Sequence, residues 1–211
     1  MRRDWGERAG RRFARLTTQA VVARPGLWRL FRRPLRAQFE LLAPVWEGRR
    51  GPEALTSLGA ALDFLGPPVR VLDLGTGTGK AARLLGIRFP GATVVGVDLA
   101  PAMVEQARAL LPAELRGRVT FEVADAAALP FPDGGFDLVV LLNMIPFFSE
   151  LARVTAGKGT VIFAFSLGAA TPIYVPPATL RERLEPLGFR RFQELAAGEG
   201  TAFLAWRDTE G

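Results

Sequence analysis

The 211-residue chain contains no cysteine and no histidine. The first absence excludes a disulfide, a thiolate nucleophile, a cysteine zinc site and an iron–sulfur cluster. The second removes the commonest general base, the commonest metal ligand and every histidine-based triad. The chemistry is therefore expected to need neither residue, and no metal. Lysine is scarce as well: only Lys80 and Lys158 occur, so the positive charge is almost all arginine. Tyr174 is the single tyrosine. No apolar run reaches the roughly 20 residues of a membrane span. Arg11-Arg12-Phe13 superficially has the form of a twin-arginine export signal. Thr17–Ala23 is too short and too polar for the apolar region of such a leader, so the chain reads as cytoplasmic.

What is present is ordinary for a folded protein: 49% hydrophobic and 23% charged residues, too apolar for disorder. The net charge of +6 is unevenly spread. Residues 1–36 hold eleven arginines against Asp4 and Glu7, a balance of +9 that leaves −3 for the rest. The basic character belongs to an N-terminal arm. Three readings of the arm stand, in this order. It is a solvated helical face; it rests on an anionic membrane, since Trp5, Phe13, Trp28 and Phe31 interleave the arginines; or it contacts nucleic acid, for which no motif is present.

Residues 1–65 read as this helical arm or lid, with breaks at Pro25, Pro34, Pro44 and Gly51-Pro52. Trp28, Phe31, Leu35, Phe39, Leu42 and Trp46 recur at loosely helical spacing, as a core or lid face, with Phe39 or Trp46 as candidates for a substrate pocket. Gly66-Pro67-Pro68 is a stiff connection to a second unit, residues 66–211. There strands and helices alternate. Strands are expected at Val69–Leu74, Thr93–Asp98, Val119–Ala124, Phe136–Leu142 and Thr160–Ser166. Helices are expected at Lys80–Ile87, Pro101–Leu111, near Phe148–Val154 and at Pro177–Leu187, with a terminal hairpin from Phe189–Leu195 and Thr201–Trp206. This alternation implies an α/β fold, a mostly parallel sheet with helices on both faces.

Asp73-Leu74-Gly75-Thr76-Gly77-Thr78-Gly79 ends a strand and opens a helix. Its alternate glycines permit a sharp turn and close approach of a ligand. A phosphate loop would need Gly-Lys-Ser/Thr, and here Ala81 follows Gly79-Lys80; a dinucleotide fingerprint would read G-x-G-x-x-G. Asp98 ends the second strand, 23 positions after Gly75, where a carboxylate can accept from both hydroxyls of a ribose. Asp125, at the end of the third strand, can accept from an exocyclic amine such as that of adenine, and the Ala126 N–H can meet a ring nitrogen. Asp137 reads as structural.

These segments, with Val97-Asp98-Leu99-Ala100-Pro101-Ala102-Met103 and Ala124-Asp125-Ala126 through Phe136-Asp137, closely resemble class I S-adenosylmethionine-dependent methyltransferases, most nearly the small-molecule and quinone-methylating branch, over about residues 66–206. The resemblance implies a Rossmann-like, doubly wound seven-stranded sheet of order 3-2-1-4-5-7-6, with strand 7 antiparallel, preceded by the N-terminal helices. It implies S-adenosyl-L-methionine as cofactor and S-adenosyl-L-homocysteine as product. It places Asp73, Gly75, Thr76 and Gly77 around the methionine moiety, Asp98 on the ribose, Leu99 and Met103 against adenine, Asp125 and Ala126 at the adenine edge, and Asn143 near the amino group. The chain departs from the family at Asn143-Met144-Ile145-Pro146-Phe147-Phe148, a shortened segment where members often shape the acceptor pocket. Ala156-Gly157-Lys158-Gly159 replaces the usual proline-glycine-glycine turn.

The implied reaction is in-line methyl transfer to a small, lipophilic or aromatic acceptor, in which the protein aligns the reactants and excludes water. If the acceptor must lose a proton, Glu40, Glu47 and Tyr174 are the candidate bases, and no motif singles one out. Two other readings stay open. One is a methyltransferase-like protein that binds the cofactor without catalysis; the other is a nicotinamide-dependent oxidoreductase, against which the G-x-G-x-G spacing argues.

Overall fold

The computed structural model describes residues 2–49 and 51–208, with side chains from residue 9 onward. The side chains of Arg2, Arg3, Trp5 and Arg8, counted in the basic arm above, lie outside the described residues. Seven strands form one sheet: β1 Arg70–Leu74, β2 Thr93–Asp98, β3 Val119–Val123, β4 Phe136–Leu142, β5 Thr155–Phe165, β6 Phe189–Ala197 and β7 Gly200–Arg207. The order is β3-β2-β1-β4-β5-β7-β6. Neighbours from β3 to β5 pair in parallel, and β7 runs antiparallel to both β5 and β6. This is the expected topology, reached because each crossover helix returns the chain to lay a parallel strand.

The helices are α1 Arg2–Ala23, α2 Trp28–Trp46, α3 Thr56–Leu62, α4 Lys80–Arg88, α5 Pro101–Ala109, α6 Phe148–Val154 and α7 Pro177–Leu184. Side chains alternate across each strand. Val71, Leu138 and Val140 meet α3, α4 and α5 on one face. Leu72, Val139, Leu141 and Phe163 meet α6, α7 and the arm on the other. Because both faces are covered, β4 is almost wholly apolar. Each large side chain so buried stabilises the fold by about 1.5–3 kcal/mol. Leu58, Ala61 and Leu62 of α3 belong to this core, so the segment just before the Gly-Pro-Pro connection packs with the sheet.

Two expectations need correction. Pro34 and Pro44 lie inside α2 and do not break it. Each proline removes a helical hydrogen bond, at a cost of about 3 kcal/mol or more. Burial of Trp28, Leu35 and Ala43 along one face of α2 offsets that cost. The fifth strand begins at Thr155, five residues earlier than expected, because Thr155 pairs with Phe136 before a register shift. The break at Pro25 holds: α1 ends at Ala23 and a single 3-10 turn, Pro25–Leu27, leads into α2. No helix among the described residues is long and apolar enough to cross a membrane.

Candidate functional site

At the carboxyl ends of β1, β2 and β4, which are neighbours in the sheet, the chain makes three turns side by side. The first is the glycine loop, in which Gly75, Gly77 and Gly79 all have positive φ. At Gly77, with φ +53°, an added Cβ would lie 3.1 Å from Trp46 Nε1; at Gly75, with φ +70°, it would collide with the Met144 side chain. Both positions favour glycine for their positive φ. The amides of Gly75 and Thr76 both donate to the Val97 carbonyl, tying the loop to β2.

Asp73, beneath the loop, is 1% exposed. Its Oδ2 accepts the Thr76 hydroxyl at 2.6 Å. Its Oδ1 is buried and makes no hydrogen bond among the described residues. Burial raises its pKa to about 6, while the Thr76 hydroxyl and the Ala82 N–H pull it back and the Asp98 charge adds to the rise. A buried carboxylate with an oxygen to spare is costly unless a donor meets it. Asp98, partly exposed, accepts the Gly77 N–H and the Ala100 N–H at 2.9 Å each, one on each oxygen. Its pKa is also raised by burial; those amides and that of Leu99 lower it, and the Glu40 charge raises it. Each oxygen keeps a second lone pair for an outside donor.

The third carboxylate differs from expectation. Asp125 accepts Trp28 Nε1–H at 2.9 Å and pairs with Arg32 at 3.2 Å. Trp28 is 7% exposed and packs edge-on against Phe147. The arm thus occupies the position where an exocyclic amine was expected. Ala126 is buried beside it. Met103 is also buried, in a small cluster with Ala43, Ala100 and Trp46, so it faces α2. Leu99 packs partly buried at the edge of the main core. Asn143, at the tip of β4, is the one non-glycine residue with positive φ among the described residues, at +54°. Such backbone strain persists only where surroundings enforce it. Its side chain is engaged with Ser166: Nδ2 donates to Ser166 Oγ at 3.0 Å and Oδ1 accepts the Ser166 N–H at 3.0 Å. Asn143 thereby couples the ends of β4 and β5.

Two of the three candidate bases are committed elsewhere. Glu40 accepts the Ala102 N–H at the start of α5 and pairs with Arg36. Glu47 accepts the Thr78 hydroxyl at 2.5 Å and pairs with Arg83 at 2.7 Å, while its carbonyl accepts Lys80 Nζ. Tyr174 packs edge-on against Phe165, and burial together with the Glu194 charge raises its pKa. Both effects disfavour its phenolate. Tyr174 and Phe165 line a cavity of about 310 Å³ with Pro177, Glu194, Thr201 and Phe203. Asp137 is structural, as expected, accepting the Val69 and Arg70 amides at the start of β1.

The sequence reading missed the partners that the arm supplies. Trp28 and Arg32 share a helix face at i and i+4, which was legible, but their joint partner lies 97 and 93 residues away. It also missed Arg153, which donates to the carbonyls of Leu129 and Phe131 and pairs with Asp133 and Glu150. That hub fixes the loop following Asp125, and the Arg153 guanidinium holds the Glu150 pKa below the usual range. No cluster of metal-ligating side chains occurs among the described residues.

Comparison with known proteins falls on the same segments. Residues 71–159 match a family described as a methyltransferase domain. The chain is 48% identical over 103 residues to a demethylmenaquinone methyltransferase of Thermus thermophilus, a match covering 45% of this chain and 46% of that protein. It is 45% identical over 104 residues to a malonyl-[acyl-carrier protein] O-methyltransferase of Halorhodospira halophila, covering 46% of this chain and 35% of that protein. The chain thus spans less than half the length of these curated relatives. The solved structure of a SAM dependent methyltransferase from Aquifex aeolicus is similar with a TM-score of 0.61 at 19% identity, covering 82% of this chain and 97% of that one. The fold is the Rossmann-like methyltransferase fold.

Proposed function

We propose that this chain, whose residues 71–159 form a class I methyltransferase domain, transfers a methyl group from S-adenosylmethionine to a small lipophilic or aromatic acceptor. The observation that carries the reading is the arrangement of Asp73 and Asp98 about one glycine loop: a buried carboxylate oxygen without a partner, and a second carboxylate with acceptor capacity left on both oxygens. These groups fit the cofactor's chemistry. Asp73 would face the ammonium of the methionine moiety and Asp98 the ribose hydroxyls.

When bound, the cofactor supplies a methyl group already activated by its sulfonium. The chain's task is then alignment and exclusion of water. Asn143 and Ser166 fix the floor between β4 and β5. The Phe165–Tyr174 cavity, with its phenol and mostly apolar walls, suits a ring-bearing acceptor of modest size. Glu40 and Glu47 are engaged, so the acceptor gives its proton to solvent, before the transfer if it ionises readily and afterwards if it does not. Such a site favours a phenol or an acidic carbon over a simple alcohol. The name of one relative, a demethylmenaquinone methyltransferase, supports a lipophilic acceptor.

Thermal-shift titration with S-adenosylhomocysteine and with NAD tests the cofactor half. Stabilisation by the first alone is expected; stabilisation by NAD alone would return the oxidoreductase reading. A methyl-release assay across phenols, hydroquinones and alcohols tests the acceptor half. Turnover confined to weakly acidic alcohols would contradict it. Cofactor binding with no turnover of any acceptor would favour the non-catalytic reading.

A further inference from the structure

A second cavity, of about 510 Å³, lies between α1 and the segment after β5, lined by Arg11, Arg12, Arg15 and Pro172. Several arginines elsewhere pair with carboxylates: Arg32 with Asp125, Arg36 with Glu40, Arg83 with Glu47. Among the described residues none of the three cavity arginines has a carboxylate within ion-pairing distance. Two are nonetheless held in place. Arg11 donates to the Ala170 carbonyl at 2.9 Å and Arg15 to the Ala169 carbonyl at 3.3 Å. Each of those bonds uses one of a guanidinium's five N–H groups and leaves the others to be shared with a ligand.

A solvated basic helix would spread such charges over a convex surface, where water and salt screen them. Here three like charges line one concavity, two of them pre-oriented by backbone carbonyls. We propose that this cavity is an anion site for a phosphate group carried by a small molecule or a lipid headgroup. Planar guanidinium forks match phosphate oxygens in pairs, which a lysine cannot do. The site is separate from the glycine loop and does not depend on the cofactor reading. It sits at the other end of the segment that carries Tyr174, so an occupied anion site would buttress the turn that walls the smaller cavity.

Inorganic pyrophosphate is the first probe, followed by isothermal calorimetry on the full chain. Saturable binding is expected, weakened by about tenfold or more in R12E and in R12A. Arg12 makes no contact with the backbone of the turn, so these variants should melt with the wild type. R33E, which removes an exposed arginine of α2 outside the cavity, should bind as the wild type does. Flotation with phosphatidylcholine vesicles, with and without phosphatidylglycerol, assigns the source. Capture by the anionic vesicles that R12E abolishes and R33E spares identifies a headgroup; pyrophosphate binding without capture identifies a soluble phosphate. The proposal is overturned if the wild type binds neither probe, or if R33E loses as much as R12E, which would show diffuse charge and no built site.

Discussion

The sheet, residues 70–207, and the arm, residues 2–49, are held by different balances of forces. The sheet rests on two continuous apolar cores, one on each face. The arm contributes few fully buried side chains, Val21, Trp28, Leu35 and Ala43 among them. Beside the apolar packing of Phe13, Phe31 and Phe39, it adds polar contacts to the loops and helix starts at the carboxyl ends of the strands: Trp28 and Arg32 on Asp125, Glu40 on Ala102, Glu47 on Thr78 and Arg83. The difference divides the labour. Backbone topology fixes where the carboxylates stand, and the arm governs which of them face outward.

The largest effect that would sharpen this contrast lies in the sheet. Phe163 is fully buried between two aromatic neighbours, Phe148 and Phe203. Phe163→Ala should cost about 3–5 kcal/mol, read by denaturant unfolding. A cost below that of any arm variant would break the comparison. Next comes the junction. Trp28→Phe keeps the ring and removes the indole N–H from a carboxylate, a loss of about 1.5–3 kcal/mol. The signature beyond a lower Tm is faster proteolysis within residues 9–49. Unchanged cleavage would mean that the arm is anchored by something else.

A smaller effect follows from Asp73. Its carboxyl titrates near pH 6, above its ordinary value, because burial penalises the charge. A cationic ligand needs the carboxylate, so affinity for S-adenosylhomocysteine should fall as pH drops through about 6, by at most about tenfold per pH unit for one proton. For the unliganded protein the sign reverses. A raised folded pKa contributes stability at low pH that is lost as pH rises through about 6. A flat affinity profile from pH 5 to 7, or one unchanged in Asp73→Asn, would separate the buried carboxylate from ligand binding. Least of all should matter the exposed Arg36–Glu40 pair on α2. Arg36→Ala should change stability by about 0.5 kcal/mol or less, and a larger loss would show that the arm is more cooperative than its burial suggests.

Much of the sheet was legible because its signals are local. The ranges of β2 and β4 and the helix after β4 read directly from period and punctuation, and the glycine loop from spacing. The strand order came through the resemblance. What was not legible is long-range or runs against local propensity. Nothing near Pro34 or Pro44 announces that burial will carry α2 through them. Thr155–Gly159 lacks the apolar run of a strand and becomes one only by pairing across to Phe136. The resemblance placed Asn143 near the cofactor's amino group, while its side chain turns to Ser166, a partner visible only once β4 and β5 lie side by side. The side-chain donors to Asp125, Trp28 and Arg32, come from the arm, far away in sequence.

The central claim is that the carboxylate at the tip of β2 grips a ribose. Calorimetric titration of S-adenosylhomocysteine into the wild type and into Asp98→Ala, each verified as folded, tests it most directly. Loss of about 3 kcal/mol of binding, near a hundredfold in Kd, is the predicted result. Equal affinity in the two proteins would contradict it.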